Sequence, residues 1–197
     1  MTTSFGNFTL LRDRSVIGSK LFQGPLPALS LVIGGARSGK SRLAEALVKD
    51  SARPRVYIAT AQAWDDEMRA KIAAHQQDRD ADWQTIEAPL DVAAVLTKVT
   101  PDQVILLDCA TLWLSNHLLA NHDLGAQVVA LRKALKICVA PVVVVSNEVG
   151  WSIVPDNALA RQFQNAQGLL NQDLAQDADL VLAVMAGLPL MLKVPMA

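Results

Sequence analysis

Residues 34–41 carry the clearest chemistry in this chain: Gly34-Gly35-Ala36-Arg37-Ser38-Gly39-Lys40-Ser41. Their spacing, Gly-x4-Gly-Lys-Ser, is that of a phosphate loop. Such a loop works because glycines let the main chain turn tightly, so that successive N–H groups face phosphate oxygens. A helix opening directly after it adds its positive N-terminal end. In that arrangement Lys40 reaches the β- and γ-phosphates, and the Ser41 hydroxyl is a ligand for Mg²⁺. The loop therefore points to a nucleoside triphosphate, ATP or GTP, and to phosphoryl-group chemistry. A nucleotide-switched binding protein would share the loop, but nothing else in the sequence speaks for one.

The elements needed to position the loop are legible around it. Leu29 to Ile33 reads as a short buried strand running into the glycines, and Lys40 to Lys49 as the helix after them. Further strands are expected at 55–59, 83–87, 104–108, 141–146, 180–185 and 190–194. Helices are expected at 65–78, 90–98, 111–119, 127–137 and 158–175. Strands this aliphatic, the four-valine run from Val142 to Val145 above all, are those of a parallel sheet buried on both faces. The fold class that follows is α/β, P-loop NTPase-like, a mostly parallel sheet with helices on both faces. Residues 1–28 show no sustained period and read as an N-terminal extension, with one short ordered piece around Phe8 to Leu11. Residues 29–197 read as the nucleotide-binding catalytic domain. Asp108 ends an apolar strand, either as a Walker B carboxylate acting on Mg²⁺ or as a cap for the helix that follows.

Composition narrows the class of partner. A formal net charge of -1 lacks the basic footprint of nucleic-acid binding. The longest uncharged apolar run, Leu180 to Leu192, is broken by Gly187 and Pro189 and falls short of the roughly 18 residues that suggest a membrane span. No signal-peptide pattern is visible at the start, so the expected compartment is the cytoplasm. Two cysteines, Cys109 and Cys138, are too few for a disulfide framework and read as small buried hydrophobes.

A second group of residues suggests a nucleophile. On the helix expected at 65–78, Met68, Ile72, His75 and the trailing Arg79 fall at i, i+4, i+7 and i+11, on one face. A neutral imidazole near pH 7 suits attack on phosphorus, and a guanidinium one turn on suits the charge that develops there. Taken alone, a helical His followed by Arg is more often a solvated or packed face, and His117 and His122 keep that ordinary reading.

Several stretches together go further: the phosphate loop; Tyr57-Ile58-Ala59-Thr60-Ala61-Gln62; Asp65-Asp66-Glu67-Met68 with His75 and Arg79; and Ser146-Asn147-Glu148-Val149-Gly150 with Ile153-Val154-Pro155. In this order they resemble the bifunctional adenosylcobinamide kinase / adenosylcobinamide-phosphate guanylyltransferase family of cobalamin biosynthesis, from about Leu31 to Lys193. The resemblance implies phosphorylation of adenosylcobinamide by ATP or GTP, then transfer of GMP from GTP to give adenosylcobinamide-GDP. It implies that His75 carries the guanylyl group, and that Thr60, Ala61, Gln62, Gln76, Gln77, Asp78, Arg79, Glu87 and Asp108 contribute to the nucleotide site. Glu87 is a sensible guanine reader, because a carboxylate accepts from the N1–H and N2–H₂ pair that adenine lacks. Asn147 and Glu148, Arg37 and Arg161 are further candidates for substrate, phosphate or subunit contacts. The resemblance also implies a homo-oligomer, with trimers among the family's forms. A single-activity small-molecule kinase on the same scaffold, without the guanylyl-histidine step, is the alternative.

Overall fold

In the computed structural model, residues 24–62 and 82–195 are described. The strands are β1 (Leu29–Gly34), β2 (Arg55–Ala59), β3 (Trp83–Glu87), β4 (Val104–Asp108), β5 (Val142–Asn147), β6 (Leu180–Met185) and β7 (Leu188–Lys193), all but the edge strand β3 following an aliphatic run. They form one sheet in the order β3-β2-β4-β5-β1-β6-β7. All neighbours pair in parallel except β6 and β7, an antiparallel hairpin. The hairpin turn at Ala186 and Gly187 has positive φ at both residues, 52° and 79°. That is the backbone a two-residue primed turn requires.

Parallel neighbours need crossovers, and helices supply them. The helices are α1 (Lys40–Asp50), α2 (Val92–Leu96), α3 (Ala110–Leu119), α4 (Leu124–Ile137) and α5 (Ala158–Asp177). Side-chain alternation divides the core into two layers. Val32, Leu106, Val143, Val145 and Leu182 pack against Leu43, Ala44, Leu47 and Val48 of α1. Leu31, Ile105, Leu107, Val142 and Val144 pack on the opposite face against α2, α3, α4 and α5, with Trp113, Leu131 and Leu170 among the contacts. Helices thus cover both faces, as the sequence suggests.

The helix ends show why boundaries shift from the sequence reading. Asp123 accepts a hydrogen bond from the Ala126 amide and starts α4 at Leu124, before the expected Gln127. Asn157 caps α5 through Ala160 in the same way, and α5 runs on to Asp177. Each cap satisfies an amide that the first helical turn cannot pair internally. The final strand lies at 188–193, because the turn takes only Ala186 and Gly187. The helix expected at 65–78 and the short piece around Phe8 lie outside the described residues.

Candidate active site at the carboxyl edge of the sheet

The phosphate loop leaves β1 at the carboxyl edge of the sheet and enters α1, the setting its chemistry needs. Arg37 and Gly39 both adopt positive φ, 55° and 96°. Gly35, Ala36 and Arg37 are exposed, whereas Ser38 is buried. Lys40 folds back over the loop, its Nζ donating to the Gly35 carbonyl at 3.2 Å. The hairpin between β6 and β7 braces the loop from beside it, the Gly187 amide donating to the Ser38 carbonyl at 2.9 Å. Gly34 has no room for a side chain: a Cβ there would stand 2.6 Å from both Ser38 Oγ and the Val184 carbonyl.

Asp108 lies on the same face of the sheet as α1, because Val104 and Leu106 of its strand pack there. It is not adjacent to the loop, however. β5 is inserted between β4 and β1, so the two are separated by two strand spacings, ~10 Å. The Cys109 thiol is pushed up to about 12, first by burial and then by the Asp108 charge, with Lys40 opposing. Cys109 is accordingly an inert thiol, and its Sγ accepts from the Leu112 amide at the start of α3.

Thr60 is wholly buried, and its hydroxyl donates to the Cys109 carbonyl and accepts from the Cys109 amide, each at 2.8 Å. Asn116 of α3 donates to the Thr60 and Pro89 carbonyls at 2.8 and 2.9 Å. These bonds tie the carboxyl ends of β2 and β3 to the segment that carries Asp108. Thr60 therefore holds the site's framework with its hydroxyl, while Ala61 and Gln62 beside it are half-buried. Glu87 is exposed at the end of β3, four strand spacings, ~19 Å, from the loop strand. His75, Gln76, Gln77, Asp78 and Arg79 lie outside the described residues.

Sequence reasoning missed the buried polar cluster beneath Asn147, formed by Thr111, Ser146, Gln167 and Asn171. Its signal was present in α5. Gln167 and Asn171, four residues apart, share the inward stripe with Leu170 and Leu174, where polar side chains need a reason to be. His117, by contrast, keeps its ordinary reading. It is buried against Trp113, bonds His122 Nδ1 at 2.9 Å, and burial holds its pKa below the usual imidazole range.

Residues 30–192 match the family model described as cobinamide kinase / cobinamide phosphate guanyltransferase. The bifunctional adenosylcobalamin biosynthesis protein CobP of Pseudomonas aeruginosa is 43% identical over 166 residues, covering 83% of this chain and 96% of that protein. The bifunctional adenosylcobalamin biosynthesis protein CobU of Escherichia coli K12 is 40% identical over 179 residues, covering 83% and 98%. Among solved structures, PH0250 of Pyrococcus horikoshii OT3 superposes with a TM-score of 0.52 at 10% identity, covering 87% of this chain and 88% of that one, a likeness of fold alone.

Proposed function

We infer, because the chain belongs to the cobinamide kinase / cobinamide phosphate guanyltransferase family, that it catalyses two successive transfers in cobalamin biosynthesis. It phosphorylates adenosylcobinamide with ATP or GTP, and then transfers GMP from GTP to the new phosphate, giving adenosylcobinamide-GDP and pyrophosphate. The matched stretch carries this reading, since it spans the phosphate loop, Asp108 and His75 together.

In the first reaction the loop amides and Lys40 grip the β- and γ-phosphates while the substrate hydroxyl attacks the γ-phosphorus. In the second, the His75 imidazole attacks the α-phosphorus of GTP, pyrophosphate leaves, and the phosphoramidate passes GMP to adenosylcobinamide phosphate. Arg79 neutralises charge at the α-phosphate. Gln76, Gln77, Asp78, Ala61 and Gln62 line the nucleotide, and Glu87 reads guanine.

Mg²⁺ suits the donors at this edge: the Ser41 hydroxyl and the Asp108 carboxylate are hard oxygen ligands. Two strand spacings between loop and carboxylate favour Asp108 acting through water. Bound there, the ion would offset the negative charge of the triphosphate. Among the described residues no cluster of three His, Cys, Asp or Glu side chains could hold a metal. No described helix is long and apolar enough to cross a membrane. In this reading the enzyme is a cytoplasmic homo-oligomer, and the exposed Leu188, Leu190 and Leu192 of β7 offer an apolar edge for subunit contact.

Incubation with [α-³²P]GTP tests the mechanism. Acid-labile, base-stable label on the protein is expected, and His75→Ala should abolish it. Label that survives the substitution would remove His75 from this role. Transfer of γ-phosphate to adenosylcobinamide without pyrophosphate release from GTP would favour the single-activity kinase.

A further inference from the structure

The strand between the phosphate loop and Asp108 ends in a residue held from both sides. Asn147 closes β5 and pairs with Gly34 at the start of the loop. The next amide, Glu148 N–H, donates to the Gly34 carbonyl at 3.1 Å. The main chain of Asn147 is fixed by side chains from two helices. Its N–H donates to Thr111 Oγ1 of α3 at 2.7 Å, and its carbonyl accepts from Asn171 Nδ2 of α5 at 3.0 Å.

Proton accounting gives the cluster one polarity. Because Asn171 Nδ2 donates to the Asn147 carbonyl, Asn171 Oδ1 must accept, and it does so from Ser146 Oγ at 2.6 Å and Gln167 Nε2 at 2.9 Å. Gln167 Nε2 also donates to Ser146 Oγ at 2.9 Å, and Thr111 Oγ1 lies 3.4 Å from the same oxygen. Gln167 is wholly buried, yet its Oε1 has no hydrogen-bond partner among the described residues. Apolar side chains in this space would leave the Asn147 N–H and carbonyl without these partners, so what the cluster secures is the Asn147 backbone.

Alternation then decides where the Asn147 side chain emerges. Val143 and Val145 pack on the α1 face and Val142 and Val144 on the other, so Ser146 turns to α5 while Asn147 turns to α1. Gly34 and Asp108 share that face. The Asn147 carboxamide thus stands between the phosphate loop and the Asp108 strand, with no partner of its own among the described residues.

We propose that Asn147 is a catalytic residue of the kinase step, its side-chain N–H₂ donating to a γ-phosphate oxygen, and that Thr111, Ser146, Gln167 and Asn171 position it. This rests on the phosphoryl transfer inferred above. In that step the bond from the γ-phosphorus to the β–γ bridging oxygen breaks, its electron pair leaving with the nucleoside diphosphate. The substrate hydroxyl oxygen bonds to the γ-phosphorus, and its proton is released to solvent. Asn147 gains and loses no atoms; it offsets charge on the transferring group. Guanylylation of the protein, which breaks the α–β linkage, does not depend on this contact.

The test compares both reactions of the full-length protein, using [γ-³²P]GTP with adenosylcobinamide for the first and [α-³²P]GTP labelling for the second. Asn147→Ala is expected to lower kcat for γ-transfer by about 10²-fold, the usual cost of one aimed donor. KM for GTP and the labelling rate should stay within about threefold, and Tm within about 2 °C. Unchanged γ-transfer, or an equal fall in both reactions, would overturn the assignment. Asn171→Leu should reproduce a smaller loss, about tenfold, in the same kcat with KM unmoved. If it lowers Tm alone and leaves kcat intact, the positioning role is refuted. A wild-type protein that forms no adenosylcobinamide phosphate overturns the functional reading, and this inference with it. A wild-type protein that forms adenosylcobinamide phosphate, with an Asn147 variant that forms it at the same rate, overturns the Asn147 contact alone.

Discussion

Gly34→Ala separates a loop that needs glycine for space from one that needs it for flexibility. The added Cβ would lie 2.6 Å from Ser38 Oγ and 2.6 Å from the Val184 carbonyl oxygen. A hydroxyl can rotate away, but the carbonyl belongs to β6, which pairs with Gly34 directly. Relief therefore requires β1 and β6 to part or the loop to tilt. Overpacking of a tight site costs ~1–3 kcal/mol, and a backbone obstacle places this case near ~2 kcal/mol. For a chain of 197 residues that is a Tm drop of roughly 4–8 °C. Gly35→Ala is the control, since a Cβ there meets nothing within 4 Å. Calorimetry of the nucleotide-free proteins should show the drop for Gly34→Ala and a shift below about 1 °C for Gly35→Ala. Titration with a fluorescent GTP analogue should show Gly34→Ala binding weakened roughly tenfold or more, the loss of one well-aimed hydrogen bond to a charged group. Equal melting of the two variants, or Gly34→Ala melting like wild type, would refute the steric reasoning.

Two further outcomes follow from the charges and thiols. Cys109 is buried with its pKa at about 12, and burial also raises Cys138. A thiol reagent at pH 8 should therefore leave Cys138→Ser protein unmodified until it unfolds, and modification at the rate of a free thiol would contradict the buried placement. Arg132 donates to Asp177 at 2.5 and 2.8 Å and to Asp173 at 2.8 Å, which holds the Asp177 carboxyl below its usual value of 3.8. The unfolded chain binds that proton first, so the stabilisation is complete above pH 3.8 and is lost as pH falls through the lower folded value. Arg132→Met should cost ~1 kcal/mol at pH 7 and much less at the acid end of that window, as read from urea melts at several pH values. A cost that does not change with pH would show that packing of the Arg132 stem, and not the ion pair, is what matters.

How far the sequence reveals this molecule depends on the range of the signal. Three strands, 55–59, 104–108 and 180–185, fall where their aliphatic runs end, because burial on both faces leaves little tolerance for polar residues; the edge strand 83–87, Trp-Gln-Thr-Ile-Glu, is also found where expected although none of its residues is buried. The phosphate loop is equally legible, since each residue type answers a local demand of the backbone or the phosphate. Strand order is not local. Nothing in Val142 to Val145 says that β5 will lie between β1 and β4. The polar cluster is only half visible for the same reason: Gln167 and Asn171 stand out on the inward stripe of α5, but Thr111 and Ser146 are far from them in the chain, and nothing local says that the four meet. α2 is shorter than expected, Val92–Leu96 against 90–98, because Leu90 and Asp91 form the entry turn.

The inserted strand also bears on how one cradle can serve two chemistries. A sheet whose loop strand adjoined its carboxylate strand would crowd the catalytic groups around the γ-phosphate. Here Gly34, Asn147, Asp108, Thr60 and Glu87 succeed one another along the carboxyl edge, on β1, β5, β4, just past β2, and β3. That edge spans ~19 Å from the loop strand to β3, a length on which a whole nucleoside triphosphate can lie in the proposed pose, its γ-phosphate at the loop and its base toward Glu87, the proposed guanine reader. The α-phosphorus then falls between the two ends, clear of Lys40's immediate grip. The proposed Asn147 donor and the proposed His75 nucleophile serve different phosphates, so Asn147→Ala should impair γ-transfer and spare guanylylation, and His75→Ala the converse.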